Sequence, residues 1–530
     1  MTPTTLASTL FSPRAGYDAS AEAIQLPVST GTPASFTYAQ VQQMVAHVQA
    51  QLASLDLPAG STVSSSLINN TEFVAAFLAT AEEGLVAAPL NPNYKEAEVH
   101  FYLDDTKSKL LILPHGTLKG DGASDGALAA LKAAQGLQVR VVEIKLDVAT
   151  ATMNLLDGDT PLPTATTRQA HENDTALVLH TSGTTGRPKA VPLTHKNLLT
   201  SMHNIQNTYK LTPQDKTFLV MPLFHVHGLL CGLLASFLAG SAVAIPSRFS
   251  ASTFWEDVQA CKVNWYTAVP TIHQIVLTLD RPTPLPQFRF IRSCSSSLSP
   301  TTFHALEEAL NAPVLEAYAM TEASHQMTSN PVPPAKRKPG TVGIGHGVEV
   351  KILNEKGEEL PQGQNGEVCV RGANITHGYL NNDKANRDSF FRTEFGNCPP
   401  ESDGYLRTGD QGRKDEDGYL VLTGRIKELI NRSGEKISPL EIDSALLSLS
   451  GIKEAVSFSM PHDMYGEVVG AAVVLKEGAT GIDQASIQRD LAEKLIKFKI
   501  PEKIWIAEII PKTATGKIQR RNVASAFLGA

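Results

Sequence analysis

Short apolar runs of strand length alternate with helix-like stretches along most of this sequence. Residues 38–55 have the apolar spacing that is typical of a helix, and residues 110–113 form a strand-length run. Beyond residue 216 the alternation returns, and residues 265–269, 288–293 and 314–318 predict three strands, each followed by polar residues. Because alternating strands and helices form parallel sheets covered by helices, the pattern predicts an α/β fold. Ligands bind beyond the carboxyl ends of such strands, so these polar residues are candidates for a binding site.

The length of the chain and a change in pattern predict two domains. A chain of 530 residues exceeds one ordinary hydrophobic core. Short strands punctuated by Gly and Asn over about 341–424 predict a small β-barrel-like subdomain. The last hundred or so residues have their own helix and strand pattern, typical of a small α+β domain. We therefore predict a large N-terminal domain of mixed and parallel sheets over residues 1–424 and a C-terminal domain over residues 425–530.

The composition excludes several classes of protein. A formal net charge of -7 gives no broad positive field for nucleic acid or an anionic membrane. Five cysteines without a C-x-x-C spacing argue against a disulfide framework and a zinc site. No apolar run reaches transmembrane length, and residues 1–14 lack the pattern of a secretory signal. We expect a cytoplasmic or peroxisomal protein, although Leu528-Gly529-Ala530 is not a peroxisomal tripeptide. The oligomeric state cannot be predicted.

A glycine-rich polar stretch, TSGTTGRPK at residues 181–189, follows the apolar run 176–179. An expected helix begins soon after it, near Lys196, so the order is strand, loop, helix. Glycines let backbone N–H groups converge, hydroxyl groups add donors and a lysine supplies charge, which together favour phosphate binding. The stretch is not a Walker A loop. A Ser/Thr/Gly run is also typical of a flexible surface loop, so alone it leaves both interpretations open.

Six further stretches follow this loop in a fixed order. They are FHVHG at 224–228, EAYAMTE at 316–322, YLRTGD at 405–410, GRIKELI at 424–430, SGEKI at 433–437 and PKTATGKI at 511–518. Together with the loop they resemble the acyl-adenylate-forming superfamily, which comprises acyl-CoA synthetases, luciferases and peptide-synthetase adenylation domains. The resemblance covers about residues 30–525.

The resemblance implies an activity in two steps that uses ATP, Mg²⁺ and coenzyme A. A carboxylate is a poor electrophile, and attack on the α-phosphate of ATP converts it into an acyl adenylate with release of pyrophosphate. The thiol of coenzyme A then displaces AMP. Both steps need negative charge stabilised at phosphate oxygens by fixed donors, Mg²⁺ and lysines.

The resemblance also assigns residues to the nucleotide. Thr321 is expected to contact the α-phosphate, and Glu322 to bind Mg²⁺, which prefers hard oxygen ligands. Asp410 would accept hydrogen bonds from both ribose hydroxyls with Arg425 nearby, although an Asp in a T-G-D turn is often an Asx-turn residue. The remaining expected contacts to ATP are Thr181, Ser182, Gly183, Thr184, Thr185 and Lys189 at the phosphates, with Glu316, Ala317 and Tyr318.

Further residues are assigned to catalysis and to the second step. Lys517 resembles the lysine that bridges the carboxylate and the α-phosphate during adenylation, where it acts as a mobile point charge. Lys427 falls at the family's hinge, about which the small mobile C-terminal domain is expected to swing. The swing would move Lys517 out of the active site after adenylation. It would bring in a face with Gly434 and Lys436 for thioester formation. Arg248 resembles a basic contact to the CoA nucleotide, although single surface arginines are usually solvated, and an exposed C-terminal lysine usually has no function.

The expected acid pocket is polar. Its predicted residues are His225, which is also a catalytic candidate, and His227, Arg292, Ser295, Ser297 and His325. An apolar acid would leave these donors unpaired at ~1–3 kcal/mol each, whereas a small dicarboxylate would satisfy them. Stretches 224–230, 265–274, 291–295 and 313–325 resemble the oxalate–CoA ligases of plants and fungi. Arg292 could instead only brace the end of a strand.

Three alternatives stay open at this point. The first is a CoA ligase for a medium-chain or aromatic acid. The second is an adenylating enzyme that loads a carrier protein. The absence of a carrier-domain pattern after Lys517 argues against it. The third is a nucleotide-binding protein without catalysis, in which the matches at Glu322 and Lys517 would have no role.

Overall fold

The computed structural model describes residues 4–14, 16–181, 188–392, 403–512 and 518–529. The strands are β1 (Glu22–Leu26), β2 (Ala34–Thr37), β3 (Thr62–Ser65), β4 (Val86–Pro89), β5 (Leu110–Pro114), β6 (Arg140–Asp147), β7 (Thr152–Asp157), β8 (Thr160–Pro161), β9 (Thr175–Thr181), β10 (Lys189–Thr194), β11 (Lys216–Phe218), β12 (Ala242–Ala244), β13 (Trp265–Ala268), β14 (Phe290–Ser293), β15 (Val314–Met320), β16 (His325–Ser329), β17 (Ile344–Gly345), β18 (Glu349–Leu353), β19 (Gly366–Arg371), β20 (Phe390–Phe391), β21 (Tyr405–Lys414), β22 (Leu420–Arg425), β23 (Ile430–Arg432), β24 (Glu435–Ile437), β25 (Ile452–His462), β26 (Gly466–Leu475) and β27 (Lys503–Ile506).

The helices cover the faces of these strands. The α-helices are α1 (Leu6–Leu10), α2 (Tyr38–Ala53), α3 (Thr71–Glu82), α4 (Glu96–Asp105), α5 (Asp125–Gly136), α6 (His195–Tyr209), α7 (Ala235–Leu238), α8 (Phe254–Cys261), α9 (Pro270–Thr278), α10 (Pro300–Leu310), α11 (Asp383–Ser389), α12 (Pro439–Leu447), α13 (Gln484–Ala492) and α14 (Arg520–Leu528). A π-helix spans His227–Leu234, and short 3₁₀ turns include Thr321–Ala323 and Ile426–Glu428. None of the helices formed by the described residues has both the length and the apolar character that a bilayer-crossing helix needs.

Local signals in the sequence explain where several helices begin. Thr37 and Gln40 form a reciprocal capping box before α2, in which the Gln40 side chain accepts from the Thr37 N–H at 2.9 Å. Helix α10 starts with a Ser299 cap followed by Pro300, a residue that suits the first helical turn because its missing N–H would be unpaired there. The helices expected at 38–55 and 71–83 begin at their predicted residues and end within two residues of their predicted ends.

Two large sheets form the body of the chain. The first has the strand order β10-β9-β4-β3-β5-β6-β7-β8, and the second has the order β17-β16-β15-β14-β13-β11-β12-β1-β2. Neighbours from β4 to β6 in the first sheet and from β1 to β15 in the second run parallel, whereas the edge strands run antiparallel. Strands such as β4 and β13 are buried throughout, as both faces of a parallel sheet are covered. The α/β class predicted from the alternation is confirmed.

A third sheet lies in the region for which a small β subdomain was predicted. Its strands β18, β19, β21 and β20 are neighbours in that order, and β22 also pairs with β21. The strands predicted at 349–353 and 366–371 have the expected bounds, whereas the one predicted at 418–422 is displaced to Leu420–Arg425. In the antiparallel pairing of β21 with β22, Asp410 lies opposite Arg425.

The last hundred residues form a fourth sheet, with the order β24-β23-β26-β25 and β27 beside β26. Ile430, Ile442 and Val469 are among the side chains of a hydrophobic core that is separate from the one beneath the large sheets. Contacts with the preceding strand include a hydrogen bond from the Ser438 hydroxyl to the Thr423 carbonyl. The domain boundary near Gly424 stays a prediction.

The surroundings of the glycine-rich loop differ from the strand–loop–helix order that the sequence suggested. Strands β9 and β10 pair antiparallel, and Thr181 lies opposite Lys189. The loop therefore joins two strands, and α6 begins only at His195. Val191 and Leu193 are apolar and fully buried, so β10 completes the sheet before the helix starts. The helix start expected near Lys196 is thus found at His195, and strand β10 is the element that the expected order lacked.

The helix expected at 228–239 is also different. Its first part is a π-helix, and only Ala235–Leu238 is α-helical. The wider turn begins at His227, whose side chain is fully buried. π-Helical segments are rare overall, but those that occur are often found at functional sites. His227 is therefore a candidate functional residue on structural grounds as well.

Candidate functional site

One part of the site is built around Asp410 on β21. The Tyr318 hydroxyl at the end of β15 donates to Asp410 Oδ2, and Arg425 Nε lies 2.8 Å from Oδ1. Burial raises the pKa of Asp410, and the Arg425 guanidinium opposes this shift. The Asx-turn alternative does not describe this carboxylate, because its partners among the described residues are the Tyr318 and Arg425 side chains rather than a backbone N–H. The structure thus brings together three of the residues predicted to bind the nucleoside.

A second part lies around Glu322, which is 6% exposed. The Tyr379 hydroxyl donates to Glu322 Oε1 at 2.9 Å, and Lys189 Nζ lies 4.4 Å from the centre of the Tyr379 ring. Burial lowers the pKa of Lys189, the nearby Glu322 carboxylate raises it and Lys427 lowers it again. These interactions bring a predicted phosphate contact, a predicted Mg²⁺ ligand and the predicted hinge lysine into one neighbourhood. A cluster of three or more His, Cys, Asp or Glu side chains suited to a metal is absent from the described part of the chain.

Glu316 occupies the strand that leads to Tyr318 and Thr321, and it is almost fully buried. Its Oε1 accepts the Leu298 N–H at 3.0 Å, whereas Oε2 has no hydrogen-bond partner among the described residues. Burial raises the pKa of Glu316 to about 8. The protonated carboxyl therefore ties β15 to the loop that carries Ser295. Ala317 lies beside it on the same strand, and Thr321 begins the following 3₁₀ turn.

The residues expected to form the acid pocket lie near the carboxyl ends of β13, β14 and β15. His227 Nδ1 lies 3.1 Å from Ser295 Oγ, and its Nε2 lies 2.6 Å from Thr267 Oγ1. The His227 and His325 rings stack with their centres 5.1 Å apart. The Nδ1 of His225 accepts the backbone N–H of His227 at 3.2 Å, which places the proton of a neutral His225 on Nε2. Four of the six predicted pocket residues are thereby shown to be neighbours.

Arg292 supplies a fully buried positive charge to this pocket. Its Nε donates to the Tyr209 hydroxyl at 2.6 Å, Nη1 donates to Thr267 Oγ1 at 3.1 Å, and Nη2 donates to Gln326 Oε1 at 3.3 Å. Nη1 also lies 3.4 Å from His227 Nε2. Among the described residues no carboxylate forms an ion pair with Arg292. These bonds tie β14 to α6, β13 and β16, and they also place the guanidinium beside His227 of the predicted pocket.

Backbone conformation adds a second signal at the same place. Ser295, Ser324 and His325 have φ values of 74°, 48° and 91°. Residues with side chains seldom adopt the left-handed region, and such strain concentrates at ligand sites. The loop after β14 and the turn before β16 both bring a side chain in this conformation, Ser295 and His325, into contact with His227.

Several predicted residues lie apart from this cluster. Ser297 is exposed two residues beyond Ser295, and Arg248 is exposed after β12. Gly434, with a φ of 97°, and Lys436 form the exposed hairpin of β23 and β24. Ser182, Gly183, Thr184, Thr185 and Lys517 lie outside the described residues. The flanking Lys512 and Ile518 form an antiparallel bridge.

Sequence reasoning missed Tyr209, Thr267, Gln326 and Tyr379. Thr267 lies in the stretch 265–274 that resembles oxalate–CoA ligases, but no role was assigned to it, and the other three are ordinary polar or aromatic residues in a strand, helix or loop. The polar run that Arg292 begins signalled an unusual strand end. It gave no indication of which distant side chains would pair with the guanidinium.

Comparison with known proteins gives a consistent result. Residues 15–380 match the family model of the AMP-binding enzyme, and residues 441–517 match that of the AMP-binding enzyme C-terminal domain. An oxalate–CoA ligase of Saccharomyces cerevisiae is 47% identical over 524 residues, which cover 94% of this chain and 93% of that protein. An oxalate–CoA ligase of Arabidopsis thaliana is 46% identical over 503 residues, with coverage of 93% and 94%.

Solved structures agree with the sequence matches. ATP-bound MatB from Rhodopseudomonas palustris superimposes with a TM-score of 0.85 at 27% identity and covers 99% of this chain and 98% of its own. The resemblance inferred from seven ordered motifs is thereby confirmed over nearly the whole length. The chain belongs to the AMP-binding enzyme family.

Proposed function

We propose that this chain is an AMP-forming acid–CoA ligase and that its acid is oxalate. The observation that carries the proposal is Arg292, a buried guanidinium with only neutral partners in the described chain, beside the stacked His227 and His325. A buried charge is costly unless it is paired. A small acid with a second carboxylate would bring the missing negative charge into this pocket. The similarity to two oxalate–CoA ligases supports the same acid.

The pocket suits oxalate better than an apolar acid for electrostatic reasons. The far carboxylate of oxalate loses its hydration in a closed pocket, at a cost of several kcal/mol unless donors replace the water. Ser295 and His325 can supply donors, and the field of Arg292 acts in a medium of low effective dielectric constant. An octanoyl or cinnamoyl chain would instead leave these polar groups without partners.

The nucleotide groups fit the first step, in which the acid attacks the α-phosphate of ATP. Tyr318, Asp410 and Arg425 would hold the adenosine, while Thr181, Lys189 and the loop between them would hold the β- and γ-phosphates. Thr321 would contact the α-phosphate. Lys517 would bridge that phosphate and the reacting carboxylate, so that negative charge developing in the transition state meets fixed positive charge.

Glu322 fits the role of Mg²⁺ ligand. It is a buried carboxylate, and Tyr379 holds one of its oxygens in place. A single protein carboxylate is a usual way to bind Mg²⁺ beside nucleotide phosphates, whose oxygens and waters complete the shell. Bound there, Mg²⁺ would neutralise phosphate charge. Tyr379 would meanwhile keep Glu322 oriented, and Lys189 would remain beside the phosphates.

The second step requires coenzyme A to reach the acyl adenylate. Lys427 lies between β22 and the C-terminal sheet, where a change in a few backbone dihedrals can reorient the whole small domain. Such a swing would bring the hairpin with Gly434 and Lys436 to the site, with Arg248 as a contact for the CoA nucleotide. His225, whose tautomer is fixed by the backbone, would border the acid and the incoming thiol.

The test is an acid panel with ATP and free coenzyme A as the sole acceptor. Pyrophosphate and acyl-CoA formation would be measured with oxalate, formate, acetate, octanoate and a cinnamate. We expect oxalate to have the highest kcat/KM and expect acyl-CoA to form without any carrier protein. A higher kcat/KM for octanoate or the cinnamate would contradict the oxalate assignment. Adenylate formation without acyl transfer to coenzyme A would contradict the ligase assignment.

A further inference from the structure

A continuous chain of hydrogen bonds runs through the acid pocket from Arg292 to Ser295. Arg292 Nη1 lies 3.1 Å from Thr267 Oγ1, which lies 2.6 Å from His227 Nε2. His227 Nδ1 lies 3.1 Å from Ser295 Oγ. The first three residues are essentially inaccessible to solvent, whereas Ser295 is partly exposed. The chain therefore leads from a buried charge to a hydroxyl that a ligand can reach.

The chemistry of Arg292 fixes the direction of every bond in this chain. A guanidinium group has five N–H donors and no acceptor, so Thr267 Oγ1 must accept. The same Nη1 lies 3.4 Å from His227 Nε2. This approach is attractive only if Nε2 carries a lone pair rather than a proton. The Thr267 hydroxyl can then donate to Nε2 over the short distance of 2.6 Å.

The direction carries on through the imidazole ring. A neutral histidine with a lone pair on Nε2 has its proton on Nδ1. A second proton on Nε2 would set an imidazolium against the buried Arg292 charge, and two like charges at this distance repel strongly in a medium of low dielectric constant. Nδ1–H therefore donates to Ser295 Oγ. The hydroxyl proton of Ser295 is left to donate elsewhere.

We infer that Arg292 and Thr267 are positioning residues that hold His227 as its Nδ1–H tautomer, and that Ser295 consequently acts as a hydrogen-bond donor to an oxygen of the bound acid. This inference rests on the proposed function insofar as the acid occupies this pocket. The φ of 74° at Ser295 is consistent with a side chain held in place for a ligand. Each bond in the chain is polarised by the one before it, which strengthens the final donor. Ser295 thereby becomes selective for acids that present a charged oxygen at this position.

The tautomer is tested directly by NMR on the full-length protein labelled with ¹⁵N-histidine. The His227 signals are identified by their absence from a His227→Gln variant. We expect the ¹⁵N shifts and couplings of a neutral ring with its proton on Nδ1. A proton on Nε2, or a doubly protonated ring, would overturn the inference whatever acid the enzyme uses.

A pair of Thr267 variants tests the functional consequence. Thr267→Val removes the hydroxyl at nearly constant shape, and Thr267→Ser retains it. With the acid that ranks first in the panel, we expect Thr267→Val to lower kcat/KM about tenfold, mainly through the KM for the acid. We expect Thr267→Ser to stay within about threefold of the parent. The KM for ATP should be unchanged in both.

The outcomes separate this inference from the proposed function. Two results would mean that Thr267 only supports the fold and would overturn the positioning role. One is that Thr267→Val and Thr267→Ser change the KM for the acid equally. The other is that Thr267→Val raises the KM for ATP as much as the KM for the acid. If octanoate ranks first in the panel, the oxalate assignment fails, yet the tautomer measurement still decides the hydrogen-bond direction. If Thr267→Val does not fold, the NMR result on the parent and the Thr267→Ser kinetics still stand as the test.

Discussion

Two guanidinium groups in this region have opposite surroundings: Arg292 is fully buried, whereas Arg425 is exposed at the end of β22. Arg425 pairs with Asp410 at 2.8 Å, and Tyr318 completes the contacts of that carboxylate. Among the described residues, the hydrogen bonds of the Arg292 guanidinium go to Tyr209, Thr267, Gln326 and His227. A buried charge tolerates neutral partners when an anion arrives during function, whereas a paired charge is already compensated. The region predicted to bind the nucleoside thus has a compensated charge, whereas the region predicted to bind the acid has an uncompensated positive charge.

The largest expected effect concerns Lys517, the predicted bridge between the two regions. Lys517→Ala should abolish adenylation, by about a thousandfold or more, because the charge that links the carboxylate to the α-phosphate is lost. Thioester formation from pre-made acyl adenylate should be spared. Rapid-quench measurement of the two half-reactions checks this. An equal loss in both would remove Lys517 from the first step.

Removing the uncompensated charge should come next. Arg292→Met should lower kcat/KM for oxalate about a hundredfold, since a charged pocket loses its cation, and should leave the KM for ATP nearly unchanged. Arg289→Met is a matched control, because Arg289 lies beside the same strand but pairs with Asp215 at 2.7 Å. We expect the control to lose thermal stability rather than preference for oxalate. Similar kinetic losses in both variants would mean that Arg292 has no special role.

The two stacked imidazoles should matter somewhat less. His227→Ala and His325→Ala are each expected to lower kcat/KM for oxalate by roughly ten- to a hundredfold. His325→Ala removes a donor to the acid, whereas His227→Ala removes the side chain that orients the Ser295 donor. Binding of ATP should be nearly intact. Steady-state kinetics with oxalate, formate and acetate measure the change. The wild type should be poor with formate and acetate, and a large gain with either acid in the variants would contradict the donor role.

A substitution at the compensated pair of Arg425 and Asp410 should affect ATP rather than the acid. Asp410→Asn keeps the shape but leaves Arg425 without its carboxylate, so the KM for ATP should rise about tenfold while the KM for oxalate changes little. Inhibition by AMP provides an independent reading of nucleoside affinity. A shift of the oxalate KM as large as that of the ATP KM would show that the two regions are not independent.

The smallest effect concerns a carboxyl that burial keeps protonated. The pKa of Glu316 is raised to about 8, whereas an unfolded glutamate titrates near 4.3. Below about pH 4 the contribution of this group to stability is complete, and it is lost as the pH rises toward 8, since only the unfolded chain then ionises freely. Glu316→Gln mimics the protonated form. Its melting temperature relative to the parent should therefore increase by a few degrees between pH 5 and pH 8, and a constant difference across this range would contradict the shift.

The fold class and the nucleotide region could be predicted from the sequence because their signals are local. Alternating apolar runs specify strands and helices, and motifs such as EAYAMTE and YLRTGD each fall within one strand and its following turn. Tyr318 and Asp410, which the resemblance assigned to ATP, are in contact in the structure, and their binding roles stay predictions. Strand β10, which follows the loop at 181–189, was not predicted. The short apolar run there is compatible with a strand and also with an irregular segment before a helix.

The acid pocket was only half specified by the sequence. His227, Arg292, Ser295 and His325 could be selected because polar residues are unusual in a pocket of this kind. Their partners Tyr209, Thr267 and Gln326 come from a helix and two other strands, far apart along the chain. Which donor faces which acceptor depends on distances of a few tenths of an ångström that only packing sets. The sequence by itself determined which charges the site contains, whereas the tertiary structure decided which of them are compensated.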